Sequence, residues 1–172
     1  MNNSKSNTKK IVELGLLVSL QILLTHFFSI NTPIVRIGFG FLPLAVIGML
    51  YGPFTAGTCA AIADIMGIIL FPTAPYFPGF TFTAFFTGLT YGLLLYNKPK
   101  SWKRILISAL IVCVILNLGL DTLWLLIIMG KGYIGLLPTR ILKSVIMVPI
   151  QVMTISLVWE KFIIKVRSII NN

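Results

Sequence analysis

The chain has 172 residues, of which 57% are hydrophobic and 10% charged, and its formal net charge at pH 7 is +10. Soluble domains carry roughly 25% charged residues, so this composition excludes a soluble protein and indicates an integral membrane protein in contact with lipid. A spanning helix needs about 20 apolar residues, which leaves room for about six short spans. The excess of cations is expected to report orientation in the bilayer rather than a nucleic-acid partner.

Apolar runs predict an all-α protein with six transmembrane helices in one domain, residues 10–172, after a disordered cytoplasmic segment, residues 1–9. The predicted spans are residues 10–30, 38–51, 54–71, 80–96, 105–129 and 139–164. Gly52-Pro53 marks a tight turn, because proline lacks an amide donor and begins helices well.

The segment 72–79, PTAPYFPG, separates the third and fourth spans and contains no charge. Its prolines reduce the conformational entropy of the unfolded chain, so the loop can be ordered without charge pairing. An ordered extracellular lid over a ligand is the favoured interpretation. A plain hydrophobic re-entrant connection is the alternative.

The distribution of lysine and arginine predicts that both termini are inside. With six spans and an inner N-terminus, ten of these cations fall in inner segments and four in outer segments, in agreement with the positive-inside rule. The outer four are Arg36, Lys131, Arg140 and Lys143.

Scarce polar side chains are predicted to converge in the outer half of the bundle. Buried ionisable groups in a bilayer usually face a cavity or one another. The candidates are Arg36, Asp64, Asn117, Asp121, Arg140 and Lys143. Asn117 and Asp121 are four residues apart and share a helix face, which Trp124 adjoins.

Two interpretations of these groups stay open. Asp64 and Asp121 can pair with Arg140 and Lys143 as structural ion pairs, or the groups can line an outward-facing pocket. The pocket is favoured. Its excess of cations fits an anionic ligand, and a carboxylate can accept two parallel hydrogen bonds from an amino-imino ring edge. Nearby aromatic side chains could stack on a flat ring, and these are Tyr76, Phe77, Phe80 and Trp124.

Motifs for catalysis are missing from the sequence. The chain has no G-x-x-x-x-G-K-[ST] phosphate loop and no H-E-x-x-H, and one histidine with two separated cysteines does not make a usual zinc site. No enzymatic activity, cofactor or metal is therefore expected.

Several segments together resemble one family. They are RIGFGFLPLAVIGMLYGP, ADIMG, FPTAPYFPGFT, DTLWLLIIMGKGY and LPTRILKSVIMVPIQV, within residues 10–159. Their order and spacing resemble the folate-specific substrate-binding subunits (S components) of energy-coupling factor (ECF) vitamin transporters. The resemblance implies a multi-pass protein of a bacterial cell membrane that binds folate from outside. It also implies three partners, a transmembrane scaffold subunit and two cytoplasmic ATPases.

The resemblance also implies roles for particular residues. In this family an alanine-xxx-alanine pair on the first helix contacts the scaffold, and Gly15 and Ser19 stand at those positions. The pterin ring would suit Asp64 or Asp121 with Trp124 and Phe77, although related sequences often have asparagine where Asp121 stands. The glutamate tail would suit Arg36, Arg140 or Lys143. An S component for another vitamin and a non-binding structural subunit are the alternatives.

Overall fold

The computed structural model describes residues 2–31, 36–72, 76–99, 101–129, 135 and 137–163, which form a helical bundle with one short hairpin. The first helix, α1, spans Asn2–His26 and leads into an antiparallel pair of strands, β1 Ser29–Asn31 and β2 Arg36–Gly38. Three helices follow, and these are α2 Phe41–Tyr51, α3 Pro53–Leu70 and α4 Pro78–Leu95.

The last two helices each contain a stretch with π-helical hydrogen bonding. Helix α5 is continuous through Trp102–Leu110, the π-helical section Ile111–Leu120 and Asp121–Met129. Helix α6 comprises Leu137–Val158 and a π-helical end, Trp159–Ile163. Pi-helical turns are frequent at functional sites, and the section in α5 contains Asn117.

The prediction of a helical membrane protein is confirmed. Within the residues that the structure describes, three helical stretches are suited by length and composition to crossing a membrane, namely Pro53–Leu70, Trp102–Ile128 and Leu137–Lys161, and Phe41–Tyr51 is a shorter apolar helix. Three details differ from the sequence prediction. The hairpin was not expected in an all-α fold. Helix α1 begins at Asn2, before the predicted first span, and α4 begins at Pro78, inside the predicted loop.

A single residue separates α2 from α3. Gly52 has φ +90°, a conformation that L side chains rarely adopt, and Pro53 follows at the first helical position. The chain can therefore turn from α2 into α3 without a longer loop, and α2 ends after only 11 residues.

Small residues let α3 and α4 pack closely. A Cβ added to Gly88 would lie 2.3 Å from the carbonyl oxygen of Ala56, and one added to Gly92 would lie 2.2 Å from Cα of Pro53. Close backbone approach of this kind is a common basis of helix association in membranes. It gives the threonines on the first turns of α4 a fixed position beside α3.

We expect Gly88→Ala to destabilise the bundle by about 1–3 kcal/mol, because the new methyl group overlaps backbone atoms that cannot move aside. Thermal unfolding in detergent should show a lower Tm. Gly15→Ala is the matched control, because a Cβ there meets nothing within 4 Å. Equal melting temperatures for the two variants would contradict the packing argument.

Candidate functional site

Two cavities that share part of their lining lie between the described helices. The larger has a volume of about 250 Å³ and the smaller about 140 Å³, and Gln21, Thr25 and Ala84 line both. The other residues of the larger cavity are Gly38, Gly40, Phe41, Leu44, Thr87, Val112, Cys113, Asn117, Lys143, Ser144, Met147 and Gln151. The smaller cavity is completed by Ile22, His26, Ala60, Ala63, Asp64 and Ile68.

Asp64 lies in the wall of the smaller cavity and is held by α4. The Thr81 hydroxyl donates a hydrogen bond of 2.7 Å to Asp64 Oδ2, and the Tyr76 hydroxyl lies 3.3 Å from Thr81 Oγ1. His26 interacts electrostatically with Asp64, and its ring stacks on Phe71 with centroids 4.8 Å apart. The ends of α1, α3 and α4 therefore meet around one carboxylate.

Asp121 lies on the other side of α4, next to Thr83. Trp124 Nε1 donates to Thr83 Oγ1 at 3.1 Å, and the Asp121 carboxylate interacts with Thr83, Arg140 and Lys143. Asp121 Oδ1 is buried and has no hydrogen-bond partner among the residues that the structure describes. A buried acceptor without a partner costs free energy, so it is a candidate contact for a ligand.

The C-terminal part of α5 and the first turn of α6 are joined beside this carboxylate. An Arg140 guanidinium nitrogen donates to Thr122 Oγ1 at 2.7 Å. If the carboxylates served only as structural ion pairs, their oxygens should all be satisfied. The unpaired Asp121 oxygen therefore favours the pocket interpretation over the ion-pair interpretation.

Aromatic rings cluster where α4 begins. The Phe77 ring centroid lies 5.7 Å from that of Trp124 and 6.1 Å from that of Phe80. A Cβ on Gly79 would lie 2.5 Å from Phe77 and 2.6 Å from Trp124, so only glycine leaves room for this arrangement. Tyr76 is half exposed at the edge of the cluster.

The predicted residues fall into three groups. Asn117 and Lys143 line the larger cavity and Asp64 lines the smaller one. Phe77, Phe80, Asp121, Trp124 and Arg140 form a layer beside the first turns of α4 and line neither cavity. Tyr76 connects to Asp64 through Thr81.

Other predictions lie outside these groups or outside the described residues. Gly15 and Ser19 lie away from the cavities on an exposed face of α1, where Ser19 Oγ donates to the Gly15 carbonyl at 2.9 Å. The Arg36 side chain, Lys131 and residues 73–75 of the predicted lid lie outside the described part of the structure.

Sequence reasoning did not identify Gln21, Thr25, Thr81 and Thr83. The available signal was weak, since Gln21 interrupts an apolar span and threonines recur in the segment TFTAFFTGLT. Threonine is ordinary in membrane helices, where its hydroxyl often bonds the carbonyl four residues earlier, as Thr87 and Thr90 do here.

The arrangement is suited to binding a small molecule. Internal cavities with a few placed polar groups are typical of small-molecule sites. Among the described residues, no group of three His, Cys, Asp or Glu could hold a metal ion. A helical membrane bundle with such a site defines a small-molecule-binding membrane protein.

Comparison with known proteins gives the family. The family described as "ECF transporter, substrate-specific component" matches residues 9–164, and the chain belongs to it. The chain is 43% identical over 150 residues to "Folate transporter FolT" of Clostridium novyi (strain NT), with 87% of each chain covered. It is 31% identical over 154 residues to "Folate transporter FolT" of Leuconostoc mesenteroides subsp. mesenteroides, covering 86% of this chain and 83% of that one.

A solved structure is also similar. "Crystal structure of FolT bound with folic acid" matches with a TM-score of 0.81 and 40% sequence identity. The match covers 87% of this chain and 90% of that chain.

We expect Thr83→Val to lower the free energy of unfolding by about 1–3 kcal/mol, because it leaves the Trp124 indole N–H and Asp121 without their shared partner. Thermal unfolding in detergent measures the change. Thr90→Val is the matched control on the same helix, since the Thr90 hydroxyl donates only to the Phe86 carbonyl in the described structure. An equal Tm for both variants would show that Thr83 does not join α4 to α5.

Proposed function

We propose that this chain is the folate-binding subunit of an ECF-type importer, which captures folate and passes it to an ATP-driven complex. The observation that carries the proposal is the 40% identity and TM-score of 0.81 to a FolT structure solved with folic acid. The two FolT relatives at 43% and 31% identity support the same substrate.

The chemistry of the cavities fits a pterin. A pterin ring presents an amino group and a ring N–H side by side, and a carboxylate accepts both as it accepts a guanidinium. Asp64, in the wall of the smaller cavity, is suited to that contact, and Asp121 is the second candidate. The two cavities together reach the lower end of the range of about 300–1,000 Å³ that small-molecule sites occupy.

The rest of folate is matched by the neighbouring groups. Phe77 and Trp124 offer aromatic faces for the ring, and their cluster with Phe80 lies at the start of α4. The glutamate tail carries carboxylates that suit Arg36, Arg140 or Lys143. Of these, Lys143 lines the larger cavity. Asn117, in the same wall, supplies a neutral donor and acceptor.

The proposed orientation follows from the cations. All six helices cross a bacterial cell membrane, with both termini inside and the segment 72–79 outside as a lid over the pocket. Ten of the fourteen lysines and arginines then lie in inner segments, as the positive-inside rule requires. The start of α4 and the end of α1 face outward in this arrangement, so folate enters from outside.

Energy would come from partner subunits. The chain has no phosphate loop of its own, and we propose that a transmembrane scaffold and two cytoplasmic ATPases associate with it. Gly15 and Ser19 are the proposed scaffold contact, because both are exposed on α1 and their small size permits close helix approach.

A panel of vitamins tests the ligand assignment. Folate is expected to quench the fluorescence of the purified protein, because Trp124 is a proposed stacking partner of the ring, whereas Trp102 and Trp159 lie at the other ends of their helices. Trp124→Phe should remove most of the quenching. Saturable binding of another vitamin in place of folate would favour the rival S-component assignment, and no saturable ligand would favour a structural subunit.

We expect Asp121→Ala and Arg140→Ala each to weaken folate binding about 10- to 100-fold. Each substitution removes a proposed charge-assisted hydrogen bond to folate, worth about 1.5–3 kcal/mol. Isothermal titration calorimetry measures the affinities. Unchanged affinity in both variants would reject these two site assignments while leaving the vitamin panel to decide the ligand.

We expect a Gly15→Leu/Ser19→Leu double variant to lose co-purification with the scaffold subunit while keeping its folate affinity. Bulky side chains at these two positions would prevent close approach of α1 to a helix of the scaffold subunit. Gly119→Leu on α5 is the matched control, because Gly119 is also exposed and a Cβ there meets only the Val114 carbonyl oxygen at 3.7 Å. Retained co-purification of the double variant would contradict the assignment.

A further inference from the structure

Gln21 is a polar residue near the C-terminal end of α1 that the binding scheme above leaves without a role. Gln21 is one of the residues that line both cavities. Its Oε1 is buried and has no hydrogen-bond partner among the described residues. The neighbouring Thr25 hydroxyl donates 2.7 Å to the Gln21 backbone carbonyl, so it does not satisfy the side-chain oxygen.

An unpaired amide oxygen in a protein interior is a cost to stability. Most buried polar side-chain atoms have a partner, and each exception calls for an explanation. A leucine or methionine would fill the same space in a membrane helix without that cost. Because Gln21 lines both cavities, a partner that arrives with the ligand is within reach of this amide after a side-chain rotation.

A second buried glutamine shows what a satisfied amide looks like in this bundle. Gln151 on α6 is 1% exposed and lines only the larger cavity. Its Oε1 accepts a hydrogen bond of 3.0 Å from the Tyr91 hydroxyl, which is itself fully buried. Gln151 is therefore part of the packed interior. Gln21 differs, because its side-chain oxygen has no such partner among the described residues.

The smaller cavity places a carboxylate and this amide around one space. Asp64 and Gln21 line that cavity from α3 and α1 respectively. A carboxylate that accepts an amino-imino edge takes the ring N–H and one of the two hydrogens of the amino group. The second amino hydrogen is left over, and a neutral acceptor on the adjacent helix is suited to it.

We propose that the Gln21 side-chain oxygen accepts this second hydrogen of the ring amino group, and that Gln21 thereby selects ligands that carry the amino group. The inference rests on the proposed function. The terminal torsion of glutamine is broad, so a rotation of the amide turns its oxygen toward either cavity at little cost. Asp64 supplies the charge-assisted contact, and Gln21 adds discrimination that charge alone does not give.

The test uses Gln21→Met, which keeps the side-chain length and removes the hydrogen-bonding groups. In ligand-free protein, the Tm is expected to stay unchanged or rise, because a buried unpaired oxygen is removed. Folate affinity measured by calorimetry is expected to fall about tenfold. Affinity for a folate analogue with hydrogen in place of the ring amino group is expected to be the same in both proteins.

Gln151→Met is the matched control. It should lower the Tm of ligand-free protein, because the buried Tyr91 hydroxyl loses its acceptor. A fall in the ligand-free Tm of Gln21→Met with unchanged folate affinity would overturn the inference and make Gln21 structural. Equal weakening of folate and of the analogue would also overturn it. Absence of folate binding by the wild-type protein would overturn the proposed function itself, and this inference with it.

Discussion

Hydrogen bonds from the first turns of α4 position both sides of the site. Thr81 donates to Asp64 on one side, and Thr83 accepts from Trp124 and contacts Asp121 on the other. In a bilayer interior there is little water to replace a lost partner, so these bonds fix the rotation of α4 relative to its neighbours. The close packing of Gly88 against Ala56 holds the same helix against α3.

Helix α1 connects the site to the proposed scaffold surface. Its N-terminal half is anchored to α2, because the Tyr51 hydroxyl donates to Glu13 and Lys10 Nζ lies 5.6 Å from the centre of the Tyr51 ring. One face carries Gln21 and lines the cavities, and another exposes Gly15 and Ser19. A change in the position of α1 would therefore move both the cavity lining and the exposed face that carries Gly15 and Ser19.

The unpaired acceptors on α1 and α5 suggest how binding and stability are balanced. Asp121 Oδ1 and Gln21 Oε1 are buried and have no hydrogen-bond partner within the described part of the chain. Each lowers the stability of the empty protein, and a ligand that donates to them restores what was lost. Because a ligand that binds only the folded state stabilises it by mass action, occupancy and folding are coupled in such a site.

The sequence by itself determined the helical membrane class, the approximate ends of most helices and the family. Apolar runs, glycine-proline turns and the order of motifs are local properties that can be read directly from the chain. It also singled out Asp64, Asp121 and Trp124 as rare polar and aromatic groups at one end of the spans. The tertiary structure alone decided their hydrogen-bond partners and the hairpin after α1. It also decided that Gln21 Oε1 is buried with no hydrogen-bond partner among the described residues. These depend on how each helix is rotated and packed against the next, and that rotation is set by contacts between residues far apart in the chain.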